Sequence, residues 1–532
     1  MTNNTARCNR LSHALILFLS LLIFISFWLF SRFTVDDAFI SWRYGKNLVD
    51  FGIWNYNPAV FDMTQAYTNP IYATLSIIPN YFKIDIVLFF KIFTLLTLIV
   101  FSFWFIHKAK NSLIMVLIFF TLPITFIHAF SGLETFLFVA LMASLLIFLF
   151  EEKLYHQILI SLLLFFTRPE AWLLVILLPL YALTIDPQQK EKDDCLIIKN
   201  GLNQLNWRNF ILTFSLLFIP LVIYFIFHKL YFGNALPNTF YIKSGKNCQF
   251  FYFIWLSFLM LPIFILIPLK KFRLFIFSFL MFTAMVISYS TSELQMNYGQ
   301  RFAFHIFAPI YFFIVYIAST KQSDFLYAHL SSKYFKKSFN ISFQIVLNLI
   351  LLSFFAVFAD KVINTGELAW VSSYYPRAID SHAELGKKLQ HIANKYNLKS
   401  FSFGDAGMTA YHSKLIALDN IGLGSSAVAS GGVTSGLLDV YKPDIVIFYA
   451  NPQGIHLSSH YQDIIHDWSL KNGMQMICDI YWRPEYIIRV FAKGFYPEII
   501  DVCDKSKQNN DQKDKDFLLK IEINSPWSYW KE

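Results

Sequence analysis

Two adjacent aspartates, Asp36 and Asp37, are the residues best suited to acid–base chemistry in this chain. They follow the long apolar run 12–30, which predicts that they lie at a membrane surface. Neighbouring carboxylates in such a place repel one another and are poorly solvated, which raises the pKa of at least one of them and prepares it to act as a general base. The alternative is a structural helix cap, because Asp is a preferred N-cap residue.

The loop after these aspartates carries aromatic and amide side chains in the segments 54–58 and 66–70. Such residues suit a sugar site, because aromatic rings stack on sugars and amides hydrogen-bond to their hydroxyls. Tyr67 and Asn69 are therefore candidate substrate ligands. Rings of this kind are also typical of the aromatic belt at a membrane interface, so this explanation stays open.

Three ionisable residues, Glu134, Arg168 and Glu170, lie at or within apolar runs, where charged groups are rare and usually paired or functional. Glu134 is a candidate substrate ligand. Its alternative role is to begin a helix, where a negative charge is favourable. Arg168 and Glu170 can instead form a structural pair that stabilises a break in their segment.

Arg301 and Lys243, each beside an apolar run, are candidate ligands for a phosphate. The forked donors of an arginine match phosphate oxygens. Both side chains can alternatively extend to lipid headgroups. Asn238 and Glu293 lie in the same two loops and are candidate substrate ligands.

The composition shows where these residues must be held. Of 532 residues, 56% are apolar and only 15% are charged, which excludes a set of soluble domains. The net charge of +9 does not indicate a nucleic-acid partner, because the basic residues form short clusters between apolar runs. The five cysteines show no spacing typical of a metal site, and no nucleotide-binding glycine motif is present.

Long apolar runs predict transmembrane helices. They lie at residues 12–30, 84–106, 112–130, 133–150, 210–232, 250–269, 274–290, 302–319 and 340–358. Residues 157–185 predict either a re-entrant hairpin or two short tilted helices. The positive-inside rule places three basic clusters and the N-terminus in the cytoplasm, and the candidate site residues on the opposite face. The clusters are Lys108/Lys110, Lys270/Lys271/Arg273 and Lys333/Lys336/Lys337.

The chain therefore divides into three parts. Residues 1–359 predict an all-α polytopic membrane domain of about 9 to 11 transmembrane helices. Residues 360–500 predict a soluble extracytoplasmic α/β domain, with a helix at 380–397 and five short strands. Residues 501–532 predict a charged linker without periodicity and an aromatic tail. Cys478 and Cys503 can pair if this part faces an oxidising compartment.

Several segments resemble the GT-C superfamily of polytopic glycosyltransferases, in particular the branch with the cell-wall arabinofuranosyltransferases and related bacterial envelope enzymes. The similarity covers residues 34–450 in patches. The patches are Asp36-Asp37-Ala38-Phe39-Ile40 with Arg43-Tyr44, Tyr67-Thr68-Asn69-Pro70, Ser131-Gly132-Leu133-Glu134-Thr135, Thr167-Arg168-Pro169-Glu170, Tyr231-Phe232-Gly233-Asn234 continuing to Lys243, and Gly404-Asp405-Ala406-Gly407 with Tyr411 and Asp419.

The resemblance implies an inverting transferase of the bacterial cytoplasmic membrane, with an extracytoplasmic site, a polyprenyl-phosphate-linked sugar as donor and a glycan or glycolipid as acceptor. It implies Asp36 as the base, with Asp37 as its partner or substitute, and Arg301 as a phosphate ligand. Arg43 and Tyr44 become candidate substrate ligands. The chain departs from the branch at Ser292-Glu293-Leu294, where a Gly-Gly-Asp stretch is common, so either Glu293 replaces that acid or acceptor recognition differs.

No cofactor is required by this interpretation. The carboxylates can recruit a divalent metal, but nothing in their spacing requires one. Two other functions remain open. A transporter or flippase for lipid-linked glycans also needs many helices, although transporters tend to show internal repeats, and none is found here. A non-catalytic envelope assembly protein is favoured by the departure at Glu293.

Overall fold

The computed structural model describes residues 2–58, 62–109, 112–184, 205–243, 248–293, 297–320, 343–363, 368, 371, 375–405, 407–450, 460–483 and 486–518. The basic cluster at 333–337, Lys110, residues 185–204 and the aromatic tail lie outside these ranges. The described chain is mostly helical, and a small mixed sheet lies in its C-terminal region.

The helical region comprises sixteen α-helices among the described residues. They are α1 Thr2–Leu29, α2 Asp36–Phe51, α3 Pro70–Leu75, α4 Ile77–Phe82, α5 Ile86–Lys108, α6 Leu113–Phe120, α7 Pro123–Phe130, α8 Thr135–Phe150, α9 Leu154–Thr167, α10 Leu174–Leu183, α11 Trp207–Phe232, α12 Asn238–Lys243, α13 Phe250–Met260, α14 Phe272–Ser290, α15 Arg301–Ala318 and α16 Phe343–Ile363.

Four helices among the described residues are long and apolar enough to cross a membrane, which is compatible with a multi-pass membrane protein. They are α5, α11, α14 and the run Tyr298–Ala318 that contains α15. Five shorter apolar helical segments accompany them and fall on other predicted crossings. These are His13–Leu29, Thr135–Phe150, Leu154–Thr167, Pro169–Leu183 and Phe250–Leu266.

The run 112–130 is not the single straight helix that its length predicts. It is divided into α6 and α7, which meet at an angle of 74°. The break lies at Leu122, which is extended (φ −79°, ψ 109°) because the following Pro123 disfavours helical backbone at the residue before it. If the two helices form one span, the count of long apolar spans rises to five.

The predicted break in 157–185 lies at Arg168, which is extended between α9 and a 3-10 turn, Pro169–Leu173, that leads into α10. Proline again follows the extended residue. The two short helices therefore meet at the charged residues that the sequence marks as unusual.

The C-terminal region is an α/β domain, and all five predicted strands and the predicted helix are confirmed. In chain order its elements are α17 Glu384–Tyr396, β1 Ser400–Phe403, α18 Met408–Ser413, β2 Ile416–Asp419, α19 Ser426–Gly431, α20 Ser435–Tyr441, β3 Ile445–Ala450, α21 His460–Lys471, β4 Gln475–Arg483, β5 Tyr486–Ala492 and α22 Pro497–Leu518.

The strand order is β2-β1-β3-β5-β4, in which β1 is parallel to β2 and β3, and β5 is antiparallel to β3 and β4. Strand β1 therefore lies between its two parallel neighbours, with β2 on one side and β3 on the other. The carboxyl ends of such strands form a crevice that commonly receives ligands. Here the loops after β1 and β2 contact the helical region instead.

The prediction of an aperiodic linker from residue 501 is wrong, because α22 continues to Leu518. Pro497 suits the first turn of a helix. Ile499, Val502 and Cys503 are buried at helical spacing, which anchors the start of α22 on the sheet. The predicted pairing of Cys478 with Cys503 is confirmed, and the disulfide ties β4 to α22.

Candidate functional site

A cavity of about 310 Å³ lies where one end of the helical region meets the α/β domain. Its walls come from segments far apart in sequence, from α2 to the start of α15 and, from the α/β domain, Leu423. Seven of the predicted site residues line it: Asp37, Tyr67, Asn69, Glu134, Lys243, Glu293 and Arg301. The other four, Asp36, Arg43, Tyr44 and Asn238, lie outside its lining.

The two adjacent aspartates point to different places, because successive residues of a helix are rotated by about 100°. Asp37 lines the cavity. Asp36 contacts the α/β domain, where its two carboxylate oxygens accept the backbone N–H groups of Gly407 (2.8 Å) and Met408 (2.6 Å). A side chain at residue 407 would overlap Asp36, so the contact requires glycine there.

Both aspartates have raised pKa values, as expected. Burial raises the pKa of Asp36 to about 7, and the nearby Asp405 carboxylate contributes to this rise. Burial also raises the pKa of Asp37, whereas the positive charges of Lys243 and Arg301 act in the opposite direction. The main cause is therefore loss of solvent and not the mutual repulsion of the pair.

Glu134 is held entirely by protein groups and is only 2% exposed. Its Oε1 accepts from Arg168 Nη1 (2.6 Å) and Arg301 Nη2 (3.2 Å), and its Oε2 accepts from Asn69 Nδ2 (2.7 Å). The side chain makes no capping bond to α8. Glu134 therefore positions its neighbours, although the sequence also allows it to be a substrate ligand.

Arg168 and Glu170 form the pair that the sequence allows. Arg168 Nε and Nη2 donate to the two carboxylate oxygens of Glu170 at 3.0 and 2.7 Å. Because Nη1 of the same guanidinium reaches Glu134, the three residues form one buried ionic network. Each charge in it has a partner, which is what burial of ions requires.

Arg301 and Lys243 differ from Arg168, since both keep donors that no described group of the protein uses. Arg301 Nε donates to Thr135 Oγ1 (3.0 Å), and Nη2 donates to Glu134. Within the described ranges, Arg301 Nη1 and Lys243 Nζ have no hydrogen-bond partner. Burial lowers the pKa of Lys243, and the Asp37 charge opposes this shift. The cavity therefore presents two cations with donors open to a ligand.

The remaining predicted wall residues are Tyr67, Asn69 and Glu293. The Tyr67 hydroxyl accepts from Trp54 Nε1 (3.2 Å), which fixes the ring at the cavity wall. Asn69 Oδ1 accepts from Ser41 Oγ (2.5 Å) while its amide donates to Glu134, so this side chain mainly connects walls. The backbone N–H of Glu293 donates to the carbonyl of Lys243 (3.1 Å), which joins the two loops at the cavity edge.

Arg43 lies between α2 and the α/β domain. Its Nη2 donates to the carbonyl of Leu415 (2.6 Å) and to Asn57 Oδ1 (3.3 Å), and its guanidinium lies 4.6 Å from the centre of the Tyr56 ring. These contacts lie outside the cavity lining. The candidate role of Arg43 as a substrate ligand therefore has no support from its position.

Tyr44 and Asn238 are also buried in structural contacts. The Tyr44 hydroxyl donates to the carbonyl of Thr64 and accepts the N–H of Ala66 (2.8 Å), which folds the outer loop around α2. Asn238 Nδ2 donates to the carbonyl of Gly422 (3.2 Å) in the loop after β2. We use "the seam" for Asp36, Arg43, Asn57 and Asn238 with their partners in the α/β domain.

Sequence reasoning missed several lining residues. Trp172, Tyr289 and Phe302 belong to apolar runs in which a single aromatic residue carries no distinguishing signal. Leu423 comes from the loop after β2, about 120 residues beyond Arg301, and only the packing of the two domains reveals it. Over the described part of the chain, no group of three or more His, Cys, Asp or Glu residues is arranged to hold a metal ion.

The fold and the cavity together describe a helical protein of membrane character whose polar cavity lies beside a C-terminal α/β domain. No protein-family model matches the chain, and no curated protein matches it.

Proposed function

We propose that this protein is an integral-membrane glycosyltransferase of the GT-C type. It moves a sugar from a polyprenyl-phosphate-linked donor to a glycan or glycolipid acceptor of the cell envelope. The observation that carries the proposal is the composition of one cavity, in which a carboxylate, Asp37, lies with two cations, Arg301 and Lys243, whose free donors suit a phosphate.

Asp37 acts as the general base and removes the proton of an acceptor hydroxyl. The hydroxyl oxygen bonds to the anomeric carbon as the bond from that carbon to the phosphate oxygen breaks, which inverts the configuration. Arg301 and Lys243 stabilise the negative charge that develops on the leaving polyprenyl phosphate. Asp36 is the less suitable base, because both of its oxygens are occupied by backbone amides.

Glu293 replaces the aspartate of the Gly-Gly-Asp stretch that is common in the branch this chain resembles. It lines the cavity next to Lys243, and its charge acts favourably on that lysine. We infer that it keeps Lys243 charged and contacts the acceptor. This supports an active transferase over a degenerate assembly protein.

The proposed enzyme lies in a bacterial cytoplasmic membrane, with about 9 to 11 spans, a cytoplasmic N-terminus and the α/β domain outside. The disulfide between Cys478 and Cys503 supports this orientation, because disulfides persist in oxidising compartments. The basic clusters between the apolar runs support it independently.

The test is the glycan composition of the envelope, read by mass spectrometry in cells that lack the gene and carry single variants. Wild type is expected to restore the glycan that deletion removes. Asp37→Asn is expected to lose on the order of 10²–10⁴-fold in transfer rate, because an amide accepts no proton, and so to fail to restore it. Asp36→Asn is the matched control and is expected to restore most of it.

Membrane abundance must be equal for both variants. Full restoration by Asp37→Asn would contradict the catalytic role of this residue. If the deletion changes only where a lipid-linked glycan accumulates, and not its structure, the protein is a transporter and the proposal is wrong.

A further inference from the structure

The α/β domain contributes Leu423 to the lining of the cavity, and no other described residue of that domain does so. Leu423 belongs to the loop 420–425 after β2 and is only 8% exposed. Around it the cavity carries carboxylates and cations, including Asp37 and Lys243. Leu423 belongs to the apolar part of this wall, together with residues of the helical region such as Ile40, Leu133 and Phe302.

The loop that carries Leu423 is held in one conformation. The Asp419 carboxylate accepts the N–H groups of Ile421 (2.9 Å) and Gly424 (2.6 Å), on either side of the leucine. Gly422 has φ +97°, in the region that favours glycine. Leu423 is therefore presented by a rigid turn.

The same loop is fixed to the helical region. Asn238 donates to the Gly422 carbonyl, and Gly424 lies so close to the Tyr56 ring that any side chain there would overlap it. Burial raises the pKa of Asp419 to about 6, and the charge of Asp37 adds to this rise, so the turn lies within the field of the proposed base.

Resting on the proposed function, we propose that Leu423 is a specificity-determining residue that helps to exclude water from the cavity, so that the sugar passes to an acceptor hydroxyl and not to water. A water molecule needs two to four polar partners to be held in a buried site, and a leucine side chain offers none. Exclusion of water prevents hydrolysis of reactive substrates in closed active sites.

The competing reaction is hydrolysis of the donor, in which the same bonds form and break as in transfer. Water replaces the acceptor hydroxyl, its oxygen bonds to the anomeric carbon, and its proton passes to Asp37. The bond to the phosphate oxygen breaks, and the products are free sugar and polyprenyl phosphate. The ratio of free sugar to glycan-bound sugar therefore measures what Leu423 does.

The experiment uses the purified full chain and membranes from cells that lack the gene, which supply the native acceptor. A panel of radiolabelled synthetic decaprenyl-phosphate sugars serves as donor. Leu423→Ala opens space for water, and Leu423→Asn keeps the branched shape and the number of side-chain heavy atoms but offers hydrogen bonds. Both variants are expected to raise the ratio of free to bound sugar about tenfold or more, whereas Leu423→Met keeps it near wild type.

Leu438→Ala is the matched control, because Leu438 is a fully buried leucine of the same domain in a separate apolar cluster. It is expected to lower stability without changing the ratio. Donor turnover by wild type with an unchanged ratio in both Leu423→Ala and Leu423→Asn would overturn this inference and leave the proposed function intact. Absence of turnover of every donor by wild type would overturn the proposed function as well.

Discussion

The seam and the cavity lie side by side and use the same residue types, but the charged groups of the seam face the α/β domain, whereas those of the cavity face open space. The seam is not fully satisfied, since Nε and Nη1 of the buried Arg43 have no hydrogen-bond partner among the described residues. In the seam, the carboxylate of Asp36 has a backbone donor for each oxygen, and Asn238 reaches a backbone carbonyl. In the cavity, Arg301 and Lys243 keep donors that no described group of the protein uses. The two adjacent aspartates therefore have different surroundings, Asp37 in the cavity and Asp36 in the seam.

The role of a charged residue near a site can be assigned from where its hydrogen-bond partners lie. A charge with all its partners inside the protein fixes geometry, because removing it leaves those partners unpaired. A charge with open donors that also lines a cavity is available to a ligand. Glu134 belongs to the first kind although it lines the cavity, which makes it the sharpest test of this distinction.

Removal of Glu134 is expected to have the largest effect on stability. Glu134→Ala leaves the guanidinium of Arg168 with one partner fewer and that of Arg301 without its carboxylate, which should cost about 3–5 kcal/mol in the free energy of unfolding. Thermal unfolding in detergent measures it. Glu293→Ala at the cavity edge is the control. An equal loss of unfolding free energy in both variants would contradict the view that Glu134 has a structural role that Glu293 lacks.

The next effect concerns binding. Lys243→Met removes a cation with a free donor, so the affinity for decaprenyl phosphate should fall by about 1.5–3 kcal/mol, with unfolding unchanged. Titration calorimetry or a labelled-ligand assay reads the affinity. Lys229→Met is a suitable control, because Lys229 lies exposed on α11 and donates to the carbonyl of Gly233. Unchanged affinity in Lys243→Met would remove this lysine from the phosphate site.

A smaller effect is expected in the seam. Asp36→Asn replaces one acceptor oxygen by a donor, so the N–H of Gly407 or Met408 loses its partner at a cost of ~1 to 2 kcal/mol. Hydrogen exchange at these two amides should accelerate, while Asp36→Glu preserves part of the protection. Wild-type exchange at both amides in Asp36→Asn would show that the contact does not hold the domains together.

The smallest effect is a change in pH dependence. Because the pKa of Asp37 is raised above its ordinary value of 3.8, the carboxylate takes up a proton at higher pH than usual, and a protonated base cannot act. The transfer rate should therefore fall with decreasing pH at values above 3.8. Asp36→Asn should leave this acidic limb in place. An acidic limb at or below 3.8 would contradict the raised pKa of the base.

Much of the fold could be predicted from the sequence. The strands of the α/β domain are short apolar runs between turn residues, and the long apolar helices are evident from composition. The bend between α6 and α7 has a local cause in Pro123, which is visible in the sequence. The length of the apolar run nevertheless favoured a single helix. The helical start of α22 also left a signal in its buried residues at helical spacing, which the charges that follow concealed.

The site was less predictable because its decisive features are relative positions. The sequence alone does not distinguish the surroundings of Asp36 from those of Asp37. Only the helical geometry of α2 shows that the two side chains point in different directions. It also cannot show that Arg43 and Asn238 each donate to a carbonyl of the α/β domain, since those partners lie 372 and 184 residues away along the chain. Leu423 has no pattern of its own, because its importance arises from the docking of one domain on another.

The most direct test of this assignment is an experimental structure of the full chain with decaprenyl phosphate as a representative polyprenyl phosphate, the class of product expected for such a donor. The account predicts the phosphate inside the cavity, in contact with Arg301 Nη1 and Lys243 Nζ, with Asp37 facing the adjoining space and Asp36 still bound to the amides of Gly407 and Met408. A phosphate bound outside this cavity, or one that neither cation touches, would contradict it.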